Sequence, residues 1–175
     1  DGRFVAGSIG GKSHDNSYIL VAVSATSDPT GAWNMWAIPS SPDNTVWADF
    51  PGFGLDGSNL YVTANMFDDT GYRYSKAWVI PKAQLVPGTS RITWFEFPNP
   101  PDSGPTMQPA HTFDLPVPEY IVFEGGSGFL RVARFDNVSS TPLWGTPISV
   151  PVTFYELSRQ LRDAPQAHDS RGIST

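Results

Sequence analysis

Short strand-like segments separated by turn signals recur along this chain at a spacing of roughly 55–60 residues, and that recurrence restricts the fold more than any single motif does. Asp49-Phe50-Pro51 marks one cycle, Gln108-Pro109-Ala110 the next, and Pro165-Gln166-Ala167 a further one. A fixed period of about 40–50 residues, each cycle holding several short strands, is the signature of propeller blades. The expected fold is all-β: a β-propeller of about three blades plus a stub, each blade a four-stranded antiparallel sheet. The expected division is a first blade over 1–46, which can be incomplete, a second over 47–105 and a third over 106–152. Residues 153–175 are expected to start a further blade or to form a mobile tail. A closed propeller has about four to eight blades, so three cannot close a ring without exposing unpaired edges. The segment is therefore expected to be part of a larger ring, completed by further blades or by a second chain.

Composition agrees with many short strands and tight turns. Charged residues are 16% and aromatics 13%, with 16 Gly and 17 Pro. Net charge is −6 and the pI is near 4.8. With no basic stripe, nucleic acid is not an expected partner. No apolar run approaches the ~20 residues of a spanning helix, so membrane insertion is not expected. The chain has no cysteine, which excludes disulfides, thiolate metal sites and a Cys nucleophile. It begins at Asp1 without an initiator Met or a signal peptide, which suits a mature, processed or excised product. Few Lys and many aromatic, Asn, Ser and Thr residues point to an extracellular or cell-surface location.

Within the first cycle, Arg3 to Ile9 reads as a strand. Tyr18 to Thr26 is a nearly continuous apolar run, as expected of a strand covered on both faces. Ser27-Asp28-Pro29-Thr30-Gly31 is a turn, and Trp33 to Ile38 the return strand. In the second cycle, Phe53 to Phe67 reads as strand, Asp-Gly turn, strand. Ser75 to Pro81 is a third strand, Lys82 to Val86 one helical turn, and Arg91 to Phe97 an outer strand. In the third, Pro118 to Glu124 and Gly128 to Phe135 flank a glycine-rich turn, and Pro147 to Val152 closes the sheet. Period two puts Arg131 and Arg134 on opposite faces. Thr153 to Arg162 can form a short helix.

Three stretches together carry a resemblance: Val21 to Trp33 with its Asp28-Pro29-Thr30-Gly31 turn, Ala48-Asp49-Phe50-Pro51, and Leu60-Tyr61-Val62-Thr63-Ala64-Asn65-Met66-Phe67. They resemble a propeller module of large secreted bacterial proteins, similar in architecture to sialidase-like propellers. The likeness covers about residues 18–88 well and 106–152 loosely. Phe50 stands where that pattern has Tyr. The resemblance implies an exported propeller and carries over no catalytic residues.

Candidate chemistry is sparse. Ser27 to Trp33 is similar to the Asp-box of sialidases, a structural turn on a blade rim; the functional alternative is a sugar contact by Trp33. Asp68 and Asp69, with Asp56 upstream, could bind calcium through carboxylate oxygens, against the plainer reading of a solvated loop. The three histidines, His14, His111 and His168, fall at no metal-ligand spacing. Asp49 and Glu119 are the acids placed to approach a central axis, and glycoside hydrolysis would need two such groups ~5–10 Å apart. Arg131 could hold an anionic or sugar ligand, but nothing selects an arginine triad. Most tryptophans are expected between blades. The leading expectation is a non-catalytic binding or structural module with a protein or glycan ligand and no cofactor beyond calcium. The alternative is a glycan-active propeller enzyme whose site is completed by further blades or another chain.

Overall fold

The computed structural model describes residues 2–13, 16–112, 118–126 and 128–153. It is all-β, with three antiparallel sheets in chain order. Sheet A contains β1 (Val5–Ser13), β2 (Asn16–Ser24) and β3 (Trp33–Pro39), paired in that order. Sheet B contains β4 (Trp47–Leu55), β5 (Asn59–Asp68), β6 (Gly71–Pro81) and β7 (Phe95–Pro98), also in order. A single helical turn, α1 (Lys82–Leu85), follows β6. Sheet C contains β8 (Gln108–Pro109), β9 (Glu119–Glu124), β10 (Phe129–Asp136), β11 (Leu143–Trp144) and β12 (Ile148–Pro151), with β11 and β12 both pairing with β10.

The sheets stack face to face because the middle one is apolar on both sides. Along β5, Leu60, Val62, Ala64 and Met66 join Ile19, Val21, Val23 and Ile38 of sheet A in one core. The alternate residue Tyr61 joins Ile121, Phe123, Ala133 and Phe135 of sheet C in a second core, with Ala77 and Val79 of β6. Period two thus sends one strand's side chains into two cores. Tyr61, Trp78 and Phe135 are fully buried, each contributing roughly 2–3 kcal/mol of transfer free energy. A buried Lys76 links sheets A and B: its Nζ donates to the Ser40 carbonyl at 2.9 Å, pairs with Glu96 at 2.9 Å and lies 4.8 Å from the Trp78 ring centroid.

Strand direction follows one rule throughout. Val5 and Val23 share a cavity wall with Leu55 and Leu60, whereas Ser17 Oγ accepts the Ala48 amide at the opposite end of the stack. β4 and β8 run parallel, bridged at Leu55 and His111. With antiparallel pairing inside each sheet, β1 therefore points the same way as β5 and β9, and β2 the same way as β6 and β10. Sheets B and C each carry one strand ahead of that position, β4 and β8. Sheet A carries none among the described residues.

Glycines set how closely the sheets approach near these leading strands. A Cβ on Gly7 would lie 2.1 Å from the Phe53 ring, and one on Gly54 2.2 Å from the Ala110 carbonyl oxygen.

Several expectations need correction. The run from Tyr18 to Thr26 was expected to be covered on both faces; it is covered on one, since Leu20 is exposed and Ile19, Val21 and Val23 are buried. Among the described residues sheet A has a neighbouring sheet on one face, sheet B. The doubly covered strands are β5 and β6, whose side chains enter both cores. The outer strand expected from Arg91 begins only at Phe95, because Thr93 is held by the Gln84 side chain instead of a ladder. The helical turn after Pro81 lies where expected. The short helix expected from Thr153 falls outside the described residues, as do His14, His168 and the Pro165 landmark.

Candidate functional site

The polar groups with the most unusual surroundings gather where the β4–β5 turn meets the start of β9, here termed the Asp56 end. Asp56-Gly57-Ser58 forms the tight turn, and Asp56 locks it. Its Oδ1 accepts the amides of Ser58 at 2.6 Å and Asn59 at 2.7 Å, and its Oδ2 accepts the Tyr61 hydroxyl at 2.7 Å. Asn59 in turn donates to the Val138 carbonyl at 2.7 Å, tying sheet B to sheet C. Asp56 is fully buried, and the three short bonds take the place of the water it has lost. Burial first, then the bond to Asp56 and its charge, holds the Tyr61 phenol well above its usual pKa.

Glu119 opens β9 beside this group and is also fully buried. Neither of its carboxylate oxygens has a hydrogen-bond partner. Burial, and secondarily the negative charge of Asp56, pushes its pKa up to about 8. The one amide that works against this shift is that of Ala110, and it already donates to the Tyr120 carbonyl at 2.9 Å. At neutral pH this favours the protonated carboxyl of Glu119.

Two concavities flank the same turn. One, of about 360 Å³, is walled by Arg3, Val5, Val23, Leu60, Lys82 and Leu85. Arg3 Nε is buried and unbonded there, and Lys82 Nζ donates to the Asp56 carbonyl at 2.9 Å. The other, of about 560 Å³, is shallower and lined chiefly by Ser58, Asn59, Pro81 and Ser139.

The residues singled out from sequence do not come together. Asp49 is exposed in the far half of β4, opposite Asn65, and its Oδ1 accepts the Phe50 amide at 2.7 Å. It sits six residues before Leu55, so ~20 Å of strand separates it from the Asp56 end and from Glu119. A carboxylate pair for glycoside hydrolysis is therefore not formed by Asp49 and Glu119. Arg131 shares a face of sheet C with Glu119, but it pairs with Phe123 while Glu119 pairs with Phe135, about 13 Å apart along the strand. Its Nε is likewise buried without a partner. Trp33 donates its indole N–H to the Pro29 carbonyl at 3.1 Å, closing the turn it follows.

Asp68 accepts the Thr70 amide and hydroxyl at 2.8 and 2.6 Å and pairs with Arg73 at 3.3 Å, so its oxygens serve the loop; Asp69 follows it in that loop. Among the described residues no group of three or more acidic or histidine side chains could hold a metal ion. Asp68 also belongs to a device that individual motifs did not reveal. Asp28, Asp43, Asp56 and Asp68 each accept the amide two residues on, from Thr30, Thr45, Ser58 and Thr70. The shared spacing, Asp-x-Ser/Thr, was the available signal. Side-chain bonds hold Asp28 and Asp43 below the usual carboxylate range, chiefly from the Thr30 hydroxyl for the first and from the Ser41 and Thr45 hydroxyls for the second.

Among the described residues Phe50 is the one aromatic with a positive φ. It is 57% exposed with φ of 51°, in the bulge between Asp49 and Gly52. A bulky side chain in this region is uncommon and costs about 1 kcal/mol or more. Phe50→Asn is expected to raise stability by about 1 kcal/mol in urea unfolding, and a loss of stability would show that the ring packs usefully where it is.

The chain defined by this fold is an all-β stack of three antiparallel sheets. It matches no protein-family model, no curated protein and no solved structure.

Proposed function

We propose that this chain is a propeller segment, three blades of a larger ring, serving as a non-catalytic binding or structural module of an exported or cell-surface protein. The observation that carries the reading is the stack itself: successive sheets pack face to face in chain order, and the middle sheet is buried on both sides. Two further facts support it. Strand direction repeats from sheet to sheet, and the leading strands β4 and β8 converge, where the Leu55 amide donates to the Ala110 carbonyl at 3.1 Å and the Thr112 amide to the Leu55 carbonyl at 2.7 Å.

The outer faces of the stack suit continuation. On sheet A, Leu20, Ala22, Met35 and Ala37 line a shallow apolar groove, with Met35 76% exposed. On sheet C, Tyr120, Val132 and Ile148 are presented outward, with Ile148 63% exposed. The sheet A groove is apolar, whereas the sheet C face mixes these residues with the Arg134–Asp136 ion pair; an open apolar face of the first kind suits cover by a neighbour. A glycan-active reading finds no support in the pair expected for it, since Asp49 and Glu119 lie far apart.

Light scattering on a sizing column tests the proposal. The expected native mass is a multiple of 19.1 kDa, because chains cover one another's end faces. A monodisperse monomer whose faces bind no hydrophobic dye would overturn it.

A further inference from the structure

Arg3 and Lys82 both line the cavity of about 360 Å³ between sheets A and B. The backbone around each holds it there. Phe4 is clamped to β2: its amide donates to Ser24 Oγ at 2.9 Å, and its carbonyl accepts the Ser24 amide at 2.9 Å. Arg3, the residue before it, is thereby fixed at the cavity. The Lys82 amide donates to the Ser58 carbonyl at 2.8 Å, and its Nζ to the Asp56 carbonyl at 2.9 Å. Arg3 Nε is buried and has no hydrogen-bond partner among the described residues. A guanidinium carries five donors in a planar fork and no acceptor, so a buried one calls for an acceptor from elsewhere. Asp56, the acid of the lining, does not supply it, since its Oδ1 holds the Ser58 and Asn59 amides and its Oδ2 the Tyr61 hydroxyl. Arg3 and Lys82 against Asp56 leave one positive charge in the lining. The rest of it is largely aliphatic, with Val23, Leu60 and Leu85 drawn from both sheets and α1. No aromatic ring lines it among the described residues, so a sugar face has nothing there to stack on.

We propose that this cavity binds a small aliphatic monocarboxylate, its carboxylate on the Arg3 guanidinium and its hydrocarbon end among Val23, Leu60 and Leu85. Two carboxylate oxygens match the guanidinium fork, which is the geometry of a bidentate pair. One negative charge balances the one positive charge of the lining, whereas a dianion brings a second that the lining does not meet. The volume falls within the roughly 300–1,000 Å³ of small-ligand sites, and an aliphatic body gains by leaving water for walls of its own kind. The proposal gives the binding module a ligand class and rests on that reading only there. Titration tests it on a chain of any native mass, so the two can fail separately.

The full chain is titrated at neutral pH with isocaproate, with its neutral amide isocaproamide and with acetate, and the amide NMR signals of Val23, Gly57 and Leu60 are followed. The expected result is saturable shifts with isocaproate and at least roughly tenfold weaker binding of the amide, which lacks the charge. Acetate, which lacks the hydrocarbon end, is also expected to bind more weakly. Arg3→Gln should weaken isocaproate binding at least roughly tenfold while leaving the thermal midpoint in place. No saturable shift with isocaproate overturns the proposal. Equal affinity for acid and amide overturns it too, because the cavity is then an apolar pocket without an anion site. Acetate binding as tightly as isocaproate, or Arg3→Gln binding as tightly as the unaltered chain, is equally fatal to it. If Arg3→Gln fails to fold, the comparison of acid with amide on the unaltered chain still decides.

Discussion

Glu119→Gln is expected to make the protein more stable in alkaline solution and to remove most of its pH dependence between about pH 5 and 8. The sign follows from the raised pKa. Unfolded, Glu119 ionises near 4.5; folded, it does so at about 8. Between these values the folded chain holds a proton that the unfolded chain has released. Stability therefore falls as pH rises through this window, with a limiting slope of about 1.4 kcal/mol per pH unit. Below about pH 4.5 the group is neutral in both states and costs nothing by this route. Above about pH 8 the full penalty applies, on the order of a few kcal/mol. Gln cannot ionise, so its curve is flat over the same range. Its amide brings two donors to a place with no acceptor bonded to Glu119, at a cost of about 1–3 kcal/mol. The two curves should cross: wild type more stable at pH 5, the variant at pH 9. Urea unfolding at pH 5, 7 and 9 decides it, and parallel curves would mean that Glu119 finds a partner for its charge.

Gly54→Ala should destabilise the fold more than its single methyl group suggests. The new Cβ would lie 2.2 Å from the Ala110 carbonyl oxygen and 2.5 Å from Pro109 Cβ. Neither can swing aside as a flexible side-chain end would. Ala110 is fixed through its carbonyl to Leu55 and through its amide to Tyr120, so relief requires β4 and β8 to separate. Overpacking of this kind costs about 1–3 kcal/mol where side chains can adjust, and more where backbone must move. The loss should fall mainly on the contact between sheets B and C. Gly71→Ala is the contrast: nothing lies within 4 Å of its Cβ, and only its φ of 120° opposes substitution. If Gly54→Ala proved the milder change in thermal unfolding, the close approach of β4 to β8 would not be the constraint described.

Both predictions concern residues whose types were legible in the sequence but whose surroundings were not. Gly54 was visible as part of a strand before an Asp-Gly turn. Its role depends on Pro109 and Ala110, more than fifty residues away, and no local pattern encodes that approach. Glu119 was singled out as a strand-entry acid suited to ligand binding. Its burial depends on which face of β9 meets Asp56 and Tyr61 across the sheet boundary. Asp49 was chosen with it on the same local grounds, and the length of β4 keeps the two apart. Arg131 and Trp33 likewise fell on the strands expected, but with neighbours that alternation alone could not supply.

What the sequence by itself determined is local and periodic: the strands, their turns, the helical turn at Lys82, and the all-β class. Alternation of apolar residues, Asp-Gly and Asp-x-Ser/Thr turns and proline punctuation act over a few residues, so they can be read without knowing the fold. Only the tertiary structure decided which apolar strands are covered twice and which acids lose their water. Those properties belong to the stacking order of the sheets. A strand as apolar as β2 is half exposed because, among the described residues, sheet A has a neighbouring sheet on one face, and β5 is buried because sheet B lies in the middle.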